Sequence, residues 1–314
     1  MSYTDRWIRF SEESTWGEWT TIGSTFPNYL NEWSATTTEN ISEEELIGGS
    51  RDWRKVVWLE EGVVARWVQE LVSAKFFEYI LGSKDGDTSP VEYTIAATLP
   101  SLSIYRGLYP DENGNTFSVG YMGMKVDTAE LTIEEGSDVR LEVNFAGKGG
   151  TILTSHLSKP SLDASVVPFA FYHSSIDLIH PNGTENLNKL SRLQISVNNN
   201  LEAIVSAGAQ SYQPTELREG ATEVTGRIVV RGHFPLLSSI VLNRVTCTLN
   251  VYLIKTQHTI QITVNNITFN EYPDELTGLD IVESELSFSA RPTSTTSAIV
   301  VTETFSGEFD SLPF

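Results

Sequence analysis

"GMKVDTAELTIEEGSDVRLEVNFAGK", residues Gly123–Lys148, is the stretch on which the fold turns. Ala129, Leu131 and Ile133 alternate with Thr128, Glu130, Thr132 and Glu134. After Gly136, Ser137 and Asp138, the apolar set Val139, Leu141, Val143 and Phe145 alternates with Arg140, Glu142, Asn144 and Ala146. A period of two is what an extended chain gives when successive side chains point to opposite faces of a sheet. Gly136 supplies the backbone freedom for a turn between the runs. The reading is a β-hairpin with one buried and one polar face, and the polar face meets either bulk water or an internal aqueous space.

The same texture extends outward. "EYTIAAT", "SLSIYRG", "SRLQISVNN", "TEVTGRIVVRGH", "TCTLNVYLI", "HTIQITVNNITF" and "VESELSFSA" are rich in Val, Ile, Thr and Tyr and are separated by Gly, Pro, Asn and Asp. They predict a mainly β protein, with sheets closed into a barrel or packed as a sandwich. One prominent helix is expected in "LEEGVVARWVQELVSAKFFEYILG". There Val64, Trp67, Val68, Leu71, Phe76 and Ile80 form a stripe at three-to-four spacing, Glu60 and Glu61 sit near the start, and Gly82 is placed to end it. Residues 1–58, with six scattered tryptophans, read as an irregular arm. A second alternating pair near the C-terminus, Ile260, Ile262 and Val264 followed by Leu286, Phe288 and Ala290, echoes the opening hairpin and suggests a duplication. "GGTILTSHLSKPSLDASVV", starting at 149, reads as the connector. The expected organisation is an arm at 1–58, a first unit with the helix at 59–150, a connector at 151–167 and a second unit at 168–314.

Composition narrows the function. The 314 residues carry 41 acidic against 21 basic side chains, a net charge of −20, which disfavours binding to nucleic acid by phosphate neutralisation. It does not disfavour a surface past which nucleic acid slides, and it also suits solubility or adaptation to high salt. No run approaches the roughly 20 apolar residues of a membrane helix, and the N-terminus lacks the pattern of a secretory signal. The single cysteine, Cys247, sits in a strand-like run and reads as a small buried hydrophobe.

Reaction templates are missing. The five histidines lack metal-site spacing, and neither an H-E-x-x-H nor a G-x-S-x-G motif occurs. "AGKGGT" at 146–151 fails the phosphate-loop pattern at positions 142 and 149. "DENGNT" at 111–116 resembles a calcium loop, but its Gly is displaced from the required position and no Glu closes it, so it reads as a turn. Adjacent carboxylates such as Glu134 and Glu135 point apart on a strand. The expectation is no enzyme, no metal and no cofactor.

The order of segments resembles the tail tube proteins of long-tailed viruses of bacteria and archaea. The resemblance rests on "LPSLSIYRG", then the hairpin with Tyr121, Gly123, Gly147 and Lys148. It continues through a strand ending in Asn198 and Asn199, Gly220, and the strand with Val224, Thr225 and Gly226. It covers roughly residues 95–290. It implies a virion protein, assembled in the host cytoplasm, that stacks as rings into a tube through which DNA leaves the particle. The implied partners are other copies of the chain, in hexameric rings or, if the duplication holds, trimeric ones. Tape measure, distal tail and terminator proteins complete the set; DNA passes without tight binding, and no membrane insertion is involved.

The lumen candidates are Glu130, Thr132, Glu134, Arg140, Glu142 and Asn144 from the first hairpin, with Gln261, Thr263, Asn265, Glu283 and Glu285 from the second pair. Either polar side of the sheets fits, because parity does not say which one faces a lumen. Trp7, Trp16 and Trp19 are candidate interface anchors, with packing inside the chain as the other reading. The rival function is a monomeric β-sandwich carbohydrate-binding or adhesin module, whose exposed aromatics would line a sugar groove. The acidity with few lysines suits a haloarchaeal virus, and marine or mesophilic phages share it.

Overall fold

The structure, a computed structural model, describes residues 7–19, 30–45, 54–107, 118–153, 167–206, 213–231, 235–270 and 283–306. The first half of the chain carries β1 (Trp7–Glu12), β2 (Leu30–Glu45), β3 (Arg54–Glu70), α1 (Phe77–Leu81), β4 (Gly82–Asp85), β5 (Val91–Ile95), β6 (Leu102–Gly107), β7 (Ser118–Glu134), β8 (Arg140–Gly147) and β9 (Gly149–Leu153). The second half carries β10 (Ser174–His180), β11 (Gly183–Asn186), β12 (Leu190–Asn198), β13 (Glu202–Ile204), β14 (Glu216–Arg218), β15 (Glu223–Arg231), α2 (Pro235–Leu242), β16 (Cys247–Lys255), β17 (His258–Phe269), β18 (Glu283–Ala290) and β19 (Ile299–Phe305).

Antiparallel pairing arranges these strands in three layers. The first sheet runs β2-β3-β8-β7-β12-β15-β18. The second runs β11-β10-β16-β17-β19-β5-β4. The third, β1-β6-β7-β9, shares the long strand β7 with the first. Ile133, Leu141, Val143, Leu193 and Ile228 of the first sheet and Leu249, Val251, Ile260, Ile262 and Val301 of the second belong to one buried cluster, together with Ile80 and Leu81 of α1. Phe10 of the third sheet meets Trp67, Phe76 and Tyr79 edge-on, and Phe76 lies tilted against Trp67 and Tyr79, with ring centroids 5.4–5.7 Å apart. Each fully buried side chain of this size contributes about 2–3 kcal/mol of transfer free energy.

The hairpin is as its alternation predicts. Ala129, Leu131, Ile133, Val139, Leu141, Val143 and Phe145 are buried, Thr132 opposes Arg140 across the ladder, and Gly136 turns the chain at φ 79°. The expected helix is corrected. Residues 54–70 are the strand β3, and only Phe77–Leu81 is helical, closed by Gly82 in the left-handed conformation at φ 95°. Val63, Ala65 and Trp67 point inward while Val64 is 48% exposed, a period of two that the helical stripe concealed. What decides is the neighbourhood: over Val63–Gln69, β2 and β8 pair with the two edges of β3, a long-range gain that no local window contains.

Three further expectations change. Residues 1–58 are not irregular throughout, since β1 and β2 lie within them. The connector stretch begins with a strand, β9, paired to β7; its residues 154–166, and the turn at 111–116, lie outside the described residues. The second alternating pair is not a hairpin over its length, because β17 pairs with β16 and β19 and meets β18 only at Thr268 and Phe269. The helix α2 escaped the sequence reading; its signal is Pro235 at the first helical position.

Candidate functional site

The outward face of the first sheet is largely polar, interrupted by Val64, Val68 and Val229, and is assembled row by row from cross-strand neighbours. Glu142 of β8 opposes Glu130 of β7, which opposes Ser196 of β12, which opposes Thr225 of β15 and then Ser289 of β18. One row away, Arg140, Thr132, Gln194, Arg227 and Ser287 stand in line. Eight of the nominated lumen residues, Glu130, Thr132, Glu134, Arg140, Glu142, Asn144, Glu283 and Glu285, lie on this face. Gln261, Thr263 and Asn265 do not. They point outward from β17 in the second sheet, on the opposite side of the core, so the nominated set is divided between two faces.

The first face is acidic in composition but not a bare negative wall. Arg66 of β3 holds Glu142 through two bonds of 2.6 and 2.7 Å and reaches Glu32 at 2.8 Å. Arg140 lies 3.5 Å from the same Glu142, Arg227 pairs with Glu285 at 3.1 Å, and Arg231 bridges Glu283 at 3.1 Å and Glu135 at 2.5 Å. Glu130 accepts from Gln194 at 3.0 Å and from Thr132 at 3.3 Å, and Asn144 donates to Thr128 at 2.9 Å. The bidentate bond from Arg66 holds the Glu142 carboxyl below the ordinary carboxylate range against the opposing effect of partial burial. Sequence reading missed Arg66, Arg227, Arg231 and Gln194, since each is matched to its partner only by strand register. The second sheet's outer face differs in kind: Tyr252, Gln261 and Thr302 stand in one row, and Asn250, Thr263 and Val300 in the next.

The residues that carry the family resemblance hold this scaffold together. Gly123 adopts φ 66°, and a Cβ there would lie 2.9 Å from Lys148 Cβ and 3.1 Å from the Trp16 ring. Its N–H donates to Glu13 at 2.8 Å and its carbonyl accepts the Trp16 indole at 3.1 Å. Glu13, only 7% exposed, also accepts from Gly17 N–H, Ser101 Oγ and Ser103 Oγ at 2.7–2.9 Å. Buried Asn199 donates to the carbonyls of Ile80 and Val126, both at 3.0 Å, and so joins α1, β7 and the end of β12. Of the anchor candidates, Trp16 is engaged inside the chain, Trp19 is 36% exposed against Tyr105, and the side chain of Trp7 lies outside the described ones.

A family described as phage tail tube protein matches residues 6–231 of the chain. The chain belongs to that family. No curated protein matches it. The family is a structural one, and its membership makes the chain a component of the virion tail that self-assembles into a tube with other tail proteins. Among the described residues, no helix of this tube protein is long and apolar enough to cross a membrane. The motif residues have a physical meaning in this fold: at Gly123 and Gly226 a Cβ would meet neighbouring atoms at 2.3–2.9 Å, and at Asn199 a side-chain amide bridges α1 to β7.

Proposed function

We propose that the chain polymerises as stacked rings in the host cytoplasm and that the outward face of the first sheet lines the channel through which viral DNA leaves the particle. The observation that carries this reading is the contrast between the two sheets' borders. The first sheet ends in β2, a 16-residue strand whose outer edge has no partner strand among the described residues. The second is bordered by β11 and β4, four residues each. Short edge strands blunt further pairing, whereas a long open edge invites it, so the first sheet is the one built to continue across copies and close around an axis. Its lining then carries Glu130, Thr132, Glu134, Arg140, Glu142 and Asn144 with Glu283 and Glu285. The arginines are held by those carboxylates, which leaves few free cations to grip phosphate and lets DNA slide. Gln261, Thr263 and Asn265 are assigned to the outside of the tube.

Stacking has a matching feature. Beyond Val63, β3 has left its last β8 partner, and the ribbon formed by Thr38–Glu45 with Arg54–Gly62 continues with no third strand among the described residues. Two-stranded ribbons are marginal in water by themselves, which supports contact between this ribbon and a neighbouring ring. The tandem-unit reading is supported by the strand plan, since β1-β6-β7-β9 has the same order and sense as β10-β16-β17-β19. This plan draws the first unit from β1, within the segment that composition sets apart as an arm.

The test is electron microscopy of the purified protein for hollow, regularly striated tubes, followed by labelling of tubes built from Glu130→Cys or Thr263→Cys with a bulky polymer maleimide. Tubes that protect position 130 and expose position 263 are expected. The opposite labelling would assign the lumen to the second sheet, and a protein that remains monomeric even with its tail partners would remove the tube reading.

A further inference from the structure

Asn-Gly pairs occur twice in the sequence, at 113–114 and at 182–183. The first lies outside the described residues. The second forms the tip of the β10–β11 hairpin, whose ladder ends at His180↔Gly183 and leaves Pro181 and Asn182 as the two loop residues. Pro181 presets the backbone at the first loop position, and Gly183 stands at φ 146°, a conformation that residues with a Cβ rarely adopt. Pro181, Asn182, Gly183 and Thr184 are all exposed, and a Cβ built on Gly183 would meet no atom within 4 Å. Among the described residues β11 pairs with β10 alone, so the tip can flex without parting another strand.

Asparagine is a chemically labile residue, and hydrogen bonding separates Asn182 from the others. Asn144, Asn186, Asn199, Asn200, Asn265 and Asn266 each donate from the side-chain amide to an oxygen at 2.7–3.2 Å. Those bonds hold the torsions that would carry the amide carbon toward the following backbone nitrogen. The Asn182 side chain makes no hydrogen bond among the described residues; its backbone N–H alone is engaged, with His180 Nδ1 at 3.3 Å. The amide carbon is free to turn onto the Gly183 nitrogen, and no Cβ on Gly183 shields that nitrogen.

We propose that Asn182 is a site of spontaneous deamidation in the folded protein. The Gly183 nitrogen, deprotonated by solvent hydroxide, attacks Asn182 Cγ; the new N–Cγ bond closes a five-membered imide, and the side-chain nitrogen departs as ammonia. Water then adds to one of the two imide carbonyls and breaks its bond to the Gly183 nitrogen. Opening at Cγ leaves aspartate. Opening at the main-chain carbonyl leaves isoaspartate, in which the backbone runs through Cβ and Cγ. The sum is amide plus water giving carboxylate plus ammonium, with no oxidant, reductant or further reactant.

Either product adds one negative charge per copy to a chain of net charge −20 and sets it in the turn beside His180. Isoaspartate also lengthens the main chain by one methylene, so His180 and Gly183 no longer meet in register and the four-residue β11 loses its closing pair. The change falls on the border of the second sheet and leaves the polar face of the first untouched. The chemistry does not depend on assembly. With the second sheet on the outside of the tube, as proposed above, each copy converts independently and the tube's exterior grows more acidic with age.

The experiment stores the purified full chain in warm, mildly alkaline buffer, follows it by peptide mapping with mass spectrometry, and counts isoaspartate with an isoaspartyl methyltransferase. The tryptic peptide ending at Lys189 contains Asn182, Asn186 and Asn188, so the last two, followed by Leu187 and Lys189, are internal controls. The amide-to-acid mass gain should appear at Asn182 several-fold faster than at either control, should quicken as pH rises, and should yield more isoaspartate than aspartate. Gly183→Ala should slow it several-fold. Asn182→Gln, which would need a six-membered ring, should abolish it without disturbing the hairpin. An Asn182 that stays an amide in the native protein while converting in urea would overturn the inference, as would equal conversion at Asn186 or Asn188; neither result touches the tube reading.

Discussion

Truncating Glu13 to alanine should destabilise the chain by about 4 kcal/mol, a large effect for a residue in an apparently loop-like N-terminus. The carboxylate is buried and accepts four hydrogen bonds: two from the Gly17 and Gly123 amides, at 2.9 and 2.8 Å, and two from the Ser101 and Ser103 hydroxyls, at 2.8 and 2.7 Å. After truncation the hydroxyls can rotate to other acceptors, but the two amides are fixed by the backbone. At about 1–3 kcal/mol per buried unsatisfied donor, the amides alone cost roughly 2–6 kcal/mol, part of it offset because no charge is then buried. Glu13→Gln keeps one acceptor and turns the other into a donor facing donors, so it should lose roughly half as much. Urea unfolding followed by circular dichroism at pH 7 measures both, and at roughly 2–4 °C per kcal/mol the alanine variant's Tm should fall by about 10 °C. An alanine variant within 1 kcal/mol of the unsubstituted chain would show that the nest around Glu13 does not fasten β1 to β6 and β7.

Gly226→Ala places a Cβ 2.3 Å from Phe288 Cζ and 2.5 Å from the Gln194 carbonyl oxygen. It should cost about 2–3 kcal/mol by overpacking, with Phe288→Leu recovering only part because the carbonyl does not move; thermal melts of the single and double variants check this. The Glu142 carboxyl is held low in the folded state, so its stabilisation is present above the unfolded carboxylate value near ~4.3 and is lost as pH falls through the folded one. Glu142→Gln should therefore lose up to about 1 kcal/mol at pH 7, discounted for partial exposure, and progressively less as the pH is lowered below ~4.3, read from denaturation across that range. Burial pushes the Cys247 thiol up to about 11. At pH 8 an aromatic disulfide reagent should react with it slowly in the native protein and at once in urea; fast native labelling would contradict the buried β16 start.

The hairpin at 123–148 was legible because its evidence is local. Alternation fixes which residues share a face, and Gly136 fixes the turn, so the buried set from Ala129 to Phe145 follows from the residues themselves. The same logic found the strands of the second half and the buried cysteine. It failed at 59–82, where Val64, Trp67, Val68 and Leu71 satisfy a helical stripe as well as a strand. The choice lay with β2 and β8, whose edges hydrogen-bond β3 on both sides. Tyr121, Gly123, Gly147, Lys148 and the Asn pair pointed to the family without showing why. Their reason is the contact of Gly123 with Trp16, of Lys148 with Gly17, and the bridging of α1 to β7 by Asn199, contacts between residues 73–131 apart in the chain.

By itself the sequence determined parity, meaning which side chains point together and where turns fall, and a charge balance of 41 acidic to 21 basic side chains that disfavours gripping a phosphate backbone. Only the tertiary structure decided sidedness and pairing. It separated Gln261, Thr263 and Asn265 from Glu130 and Glu142 by the thickness of the core, and it matched Arg66, Arg227 and Arg231 to their carboxylates. The physical reason is that side-chain alternation is a property of each backbone segment alone, whereas the face a strand presents and the charge beside it depend on register with strands distant in the chain.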